Sequence, residues 1–128
     1  MTGIMGEWYD MKITATDEFE KEMKKYSKKR CSLEEDFQIF CKTLVINPQS
    51  HIPISNIWNI VWTYYKVKKF ICRSLSRNSA NSWFRIIYHF NPSSETICFH
   101  EITFIEMYHK SDKENEDKSR IQKHMGSL

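Results

Sequence analysis

The residues of this chain best suited to chemistry are cations, a phenol and an imidazole placed within or at the ends of strand-like words. Arg85 sits inside Phe84-Arg85-Ile86-Ile87-Tyr88, Lys69 and Arg73 bracket Phe70-Ile71-Cys72, and Tyr108-His109-Lys110 closes a later apolar stretch. Side chains alternate between the two faces of a strand. With Phe84, Ile86, Tyr88 and Phe90 turned to a core, Arg85 is expected to point outward with Trp83, Ile87 and His89, and Lys69 and Arg73 to reach the same side. Arg85, His109, Tyr108 and Arg73 then form a candidate catalytic set, and Lys66, Lys68, Lys69, Arg77 and Lys110 a candidate RNA-binding set.

Such a set suits phosphodiester cleavage in RNA. A base takes the proton of a 2′-hydroxyl, cations stabilise the charge gathering on phosphate, and an acid protonates the leaving oxygen. His109 is the candidate acid or base, because an imidazole titrates near neutrality. Arg85 and Arg73 offer planar forks of donors to phosphate oxygens. The scheme needs no metal or other cofactor. The bland alternatives remain open at this point: basic residues on an exposed strand also serve as a solvated or partner-binding face, and Tyr88 and Tyr108 also suit packing.

The charge pattern agrees with an anionic partner. From position 37 to 94 there is no Asp or Glu, while Lys42, Lys66, Lys68, Lys69, Arg73, Arg77 and Arg85 give that segment +7. The other 12 basic and 16 acidic residues leave the remainder at −4, within a total of +3. A one-sided basic segment points to phosphate. Cys31, Cys41, Cys72 and Cys98 contain no C-x-x-C pair, and His51, His89, His100, His109 and His124 are scattered, so neither a zinc site nor a redox dithiol is expected. With neither a basic-then-apolar leader nor an apolar run approaching the ~20 residues of a membrane span, a soluble cytoplasmic protein without membrane contact is expected.

The elements that must position these residues fit one domain over 1–128, since a chain of 128 residues with 41% hydrophobic content supports one core. Residues 1–10 show no period and read as a loose lead-in. Alternation over 12–16 predicts a short strand, and Asp17 with Glu20 a helix start followed by Phe19, Met23 and Tyr26 at helical spacing. Ser32 with Glu35 forms a capping box ahead of Leu33, Phe37, Phe40, Cys41 and Leu44, and Asn47-Pro48 ends that helix. Strands are predicted over 57–72, 83–90 and 96–107, a three-stranded antiparallel meander. Ser111 with Glu114 predicts a polar C-terminal helix from 111, supported by Glu114 with Lys118 and Glu116 with Arg120 at i, i+4. The expected fold class is therefore α+β: a short N-terminal strand, two helices, a three-stranded antiparallel meander and a polar C-terminal helix.

This order of elements resembles the RelE/ParE toxin superfamily. The words that carry the resemblance are Asn47-Pro48, the segment from Lys66 through Arg73 to Leu75, Phe84-Arg85-Ile86-Ile87-Tyr88, and the segment from Ile105 through Tyr108-His109-Lys110 to Glu114, over a core of about 12–121. The resemblance implies a type II toxin held in check by a cognate antitoxin. Its RelE-like members cleave mRNA on the ribosome as mRNA interferases, whereas its ParE-like members inhibit DNA gyrase without nuclease chemistry. Arg85 matches the family's strand arginine, Arg73 and Lys69 fall in its basic strand, and Tyr108-His109-Lys110 occupies the place of its C-terminal catalytic groups. The leading expectation is a metal-independent endoribonuclease; the alternatives are a gyrase inhibitor and an inactive nucleic-acid-binding relative. An acidic, helix-forming antitoxin segment is expected to lie across the basic strands or the groove that the last helix borders, that weakly apolar helix being the element most easily displaced.

Overall fold

Apolar spacing dictates the two helices that open the fold. The computed structural model describes residues 4–8, 11–28, 32–54, 63–71, 83–92 and 100–126. Helix α1 (Asp17–Ser27) begins where Thr16, in extended conformation, accepts the Phe19 amide on its side chain at 3.2 Å, and Asp17, Glu18 and Glu20 complement the positive end of its dipole. It buries Phe19 and Tyr26, with Met23 packed alongside. Helix α2 (Leu33–Leu44) buries Leu33, Phe37, Cys41 and Leu44, the face read from the sequence. The expected capping box does not form in full: Ser32 is the N-cap, but its hydroxyl donates to the Asp36 carboxylate at 2.9 Å rather than capping a backbone N–H.

Both helices pack on one mixed sheet. Its strands are β1 (Ile4–Trp8), β2 (Met11–Ala15), β3 (Ile52–Pro53), β4 (Thr63–Ile71), β5 (Trp83–Asn91) and β6 (His100–His109), in the spatial order β1-β2-β6-β5-β4-β3. Strands β4, β5 and β6 form the expected antiparallel meander, and β2 pairs with β6 in parallel. Three features depart from the sequence reading. Residues 4–8 form an edge strand antiparallel to β2 rather than a lead-in, β3 adds two residues to the opposite edge, and the last helix, α3 (Lys118–Gly126), starts seven residues later than expected. The third departure has a local cause: Asp117, not Ser111, caps that helix, accepting the Arg120 amide at 3.1 Å and the Ser119 hydroxyl at 2.7 Å.

The sheet is covered on both faces. Against α1 and α2 lie Met11, Ile13, Tyr65, Val67, Phe70, Phe84, Ile86, Tyr88, Phe104 and Met107, with Phe37 at the centre of an aromatic group whose Phe37 and Phe104 centroids are 4.8 Å apart. Against α3 lie Tyr64, Ile87, Ile105, Tyr108 and the fully buried Ile121, with Ile54 and Met125 at the margin. Bulges in β4 between Val67 and Phe70, and in the β5–β6 pairing after Ile87, change the face a residue takes relative to simple alternation.

Pairing with β2 ends at Phe104, which leaves the next residues of β6 with backbone groups that need other partners. Helix α1 with its cap, and Arg120 of α3, supply them. The Met107 amide donates to Glu22 Oε1 at 3.0 Å, the His109 amide donates to Tyr26 Oη at 3.2 Å, and the Ile105 carbonyl accepts from Thr16 Oγ1 and Arg120 Nη1. The end of β6, where the chemistry-bearing triplet sits, is thereby fixed from both sides of the sheet.

Candidate nucleic-acid interface

Register decides which of the expected site residues can meet. Arg85 stands directly opposite Tyr108, whereas His109 stands opposite Phe84, and directly opposed residues of an antiparallel pair share a face. Arg85 and Tyr108 therefore belong to the α3 face, and His109 to the α1/α2 face. The expected convergence of Arg85 and His109 on one phosphate is not formed. His109 is 5% exposed, with its ring edge-on to Phe84 at 4.9 Å, and its Nδ1 accepts the Ser111 amide at 3.1 Å and lies 2.6 Å from the Ser111 hydroxyl. With the His109 carbonyl accepting the Asp112 amide at 2.9 Å, and Tyr26 donating to Asp112 Oδ2 at 2.7 Å, this histidine builds the turn after β6. Burial and the neighbouring Asp112 push the Tyr26 phenol up to about 12, so it stays a hydrogen-bond donor there.

Arg85 has a different setting. Its Nη1 donates to the Glu114 carbonyl at 2.7 Å, and with Lys110, Glu114 and Asn115 it lines an open cleft of about 480 Å³. Its Nε is buried without a hydrogen-bond partner among the described residues, and so is the hydroxyl of Tyr108. A buried donor left unmatched costs about 1–3 kcal/mol, and two of them stand here on directly opposed residues. Lys113 Nζ sits 5.0 Å from the Tyr108 ring centre while its charge is taken by Glu106.

The lysines of β4 divide at its bulge. Lys66, opposite Ile87, faces α3 and pairs with Glu116 at 2.8 Å. Lys68 and Lys69 span the bulge opposite Arg85 and are exposed; of the two, alternation in the sequence puts only Lys69 on the Arg85 side. Lys66 and Lys68, with Ile52, Pro53, Ile54, Glu116 and Lys118, line a second cleft of about 200 Å³. Arg73 and Arg77 lie outside the described residues, as do positions 55–62 and 72–82 of the expected strand and loop. Ile87 and His89, expected to face outward, are 0% and 2% exposed because residues 110–126 lie over that face.

Sequence reasoning missed the covering segment. Glu106, fully buried, accepts the Asp117 amide at 2.8 Å and pairs with Lys113, while Arg120 joins Glu22 at 2.8 Å. The i, i+4 pairs expected in this region are replaced by these tertiary ones. Burial raises Glu22 above the ordinary carboxylate range despite the opposing effect of Arg120. Beneath α3, Tyr64 Oη lies 2.8 Å from His124 Nδ1, and the His89 and His124 rings are 5.2 Å apart; burial first, then the neighbouring His124, lowers His89 to about 4. Among the described residues no group of three or more His, Cys, Asp or Glu could hold a metal, and no helix is long and apolar enough to cross a membrane. The chain matches no family model, no curated protein and no solved structure.

Proposed function

We propose that this protein is a toxin of the RelE/ParE kind, neutralised by a cognate antitoxin, whose α3-side sheet face takes the phosphates of RNA. The observation that carries the reading is the direct opposition of Arg85 and Tyr108, each with a buried polar atom unmatched among the described residues, beside a cleft lined by Lys110. Both atoms lie under the segment that follows β6, so RNA reaches them only when that segment is drawn aside; a phosphate oxygen would then satisfy Arg85 Nε, and the Tyr108 phenol could give a proton to a leaving oxygen. In that reaction the 2′-oxygen attacks phosphorus and gives its proton to solvent water, the bond to the 5′-oxygen breaks, and the 5′-oxygen takes a proton from Tyr108, which solvent then restores. His109 acts here as the residue that builds the turn, not as a partner of Arg85.

Ribosome-bound mRNA is the leading substrate. In vitro translation with mapping of mRNA ends tests the reading: wild-type protein produces new ends on translated message, and Arg85→Ala and Tyr108→Phe lose them while keeping the fold. The displacement of His109 from Arg85 favours a second reading, a ParE-like toxin that performs no cleavage and acts on DNA gyrase. A supercoiling assay separates the two. Inhibited supercoiling with intact mRNA selects the second reading, and neither effect from folded protein removes both.

A further inference from the structure

The small cleft beside the Arg85 site has features that a simple surface ion pair lacks. Lys66, Lys68 and Lys118 line it together with one carboxylate, that of Glu116. The Lys66–Glu116 pair is nearly closed from solvent, with side-chain exposures of 12% and 9%, and joins positions 50 residues apart in the chain. Glu116 belongs to the stretch Asp112-Lys113-Glu114-Asn115-Glu116-Asp117, which carries four carboxylates and one ammonium across the basic face. The same stretch places the Glu114 carbonyl on Arg85 at 2.7 Å. Two successive basic groups of the face are thus met by oxygen acceptors from one strand of chain, two residues apart.

We propose that Lys66, Lys68 and Lys118 form an anion subsite for an RNA backbone phosphate, adjoining the Arg85 site, and that the Glu116 carboxylate is its displaceable internal occupant. Three lysines line the cleft against one carboxylate among its described lining residues, Lys66 in contact with it and Lys118 acting on it through charge, so an incoming phosphate, with more charge and more acceptor oxygens, competes for Glu116's place. Burial pushes the Glu116 carboxyl upward, but the Lys66 hydrogen bond, its own backbone amide and the charges of Lys66 and Lys118 outweigh this and hold it below the usual carboxylate range, so the occupant competes as an anion at neutral pH. Exchange has a steric route: the cleft opens to solvent at Lys68 and Lys118, both exposed, whereas the anchors of the covering segment, Glu106 and Ile121, lie elsewhere and need not move. Glu116 therefore sets a threshold for RNA on this face, and removing its charge lowers that threshold.

This inference rests on the reading of the α3-side face as a phosphate-binding surface, and its test separates the two. Full-length wild type, Glu116→Gln, Lys118→Ala and the double variant are titrated with a labelled single-stranded oligoribonucleotide by fluorescence anisotropy at several salt concentrations, with thermal melting as a check on fold. Glutamine keeps an acceptor for Lys66 but loses the charge. Glu116→Gln is expected to bind roughly 3- to 10-fold more tightly than wild type. The plot of log affinity against log salt is expected to steepen by about 0.7, the value for one more phosphate contact on a single strand. Lys118→Ala is expected to weaken binding and make the slope shallower, and the double variant to lose the gain. If wild type binds the RNA but Glu116→Gln binds no better, with its melting transition intact, the subsite is refuted while the phosphate-binding face stands. Should Glu116→Gln unfold, an unchanged affinity and slope in Lys118→Ala and Lys68→Ala refutes it instead. If neither wild type nor any folded variant binds RNA at low salt, both the face and the subsite fall.

Discussion

The two faces of the sheet are built from the same three central strands but by different means. The α1/α2 face is an aromatic-rich core in which Phe19, Phe37, Phe84, Phe104 and Tyr88 are at most 1% exposed. The α3 face has a short apolar strip, Tyr64, Ile87, Ile105, Tyr108 and Ile121, bordered by Lys66–Glu116, Glu106–Lys113, His89, His124 and Arg85. Packing on the first face is non-directional and strong, since each large side chain buries its whole surface. The second face depends on polar groups whose desolvation cost must be matched by geometry. The comparison teaches that one face secures the fold and leaves the other free to carry charges in positions that packing alone would not favour.

The comparison is broken most severely at Phe37. Phe37→Ala should cost about 3–5 kcal/mol, because it empties the centre of the aromatic group; urea denaturation checks this, and a loss below 1 kcal/mol would mean that the first face is not the main support. The second face should respond instead to acid. His89 is lowered to about 4 in the folded chain, so between its ordinary value near 6.5 and 4 the unfolded chain binds the proton more readily. Stability is then fully present above about pH 6.5 and falls as the pH drops toward 4, by up to about 3 kcal/mol from this group. Urea midpoints across that range, compared with His89→Gln, isolate it from the carboxylates; an unaltered pH profile in the variant would count against a buried neutral imidazole.

Next in size is the functional contrast between paired residues on opposite faces. Arg85→Ala should reduce mRNA cleavage or killing by about 10²-fold without changing the melting transition. His109→Ala should act mainly through stability, by loosening the turn that His109 and Ser111 build. A large activity loss in a fully stable His109→Ala would reverse the assignment of faces. The smallest effect is expected at the plug under α3, where Ile121→Val should cost about 0.5–1.5 kcal/mol. Hydrogen exchange should quicken in 118–126 and leave α2 unchanged; equal acceleration in α2 would show that the two faces do not separate energetically.

Much of the first face was readable in the chain and much of the second was not. Leu33, Phe37, Cys41 and Leu44 recur at helical spacing, and Phe84, Ile86, Tyr88 and Phe90 alternate, because a helix stripe and a strand face are local periodicities. The order of the meander and the cationic character of β4 and β5 follow from the same local reading. Of the candidate site residues, Lys66, Lys68, Lys69, Arg85, Tyr108 and Lys110 lie on or beside the α3 face, His109 lies on the other, and Arg73 and Arg77 are outside the described residues. Their partition was not legible: whether Tyr108 or His109 joins Arg85 depends on the β5–β6 register, which shifts at the bulge after Ile87, and a shift of one residue moves every side chain to the opposite face.

Residue types and local periodicity by themselves determined α1, α2 and the strands of the meander, which of their residues can pack, and that positive charge gathers in the middle of the chain. Tertiary structure alone decided that Ile87 and His89 are covered, that Asp117 rather than Ser111 starts α3, and that Glu116 reaches Lys66 rather than Arg120. The reason is the range of the interactions. Periodicity and turn chemistry act over a few residues, whereas bulge register, parallel pairing of β2 with β6, and an ion pair spanning 50 positions exist only once the strands have met.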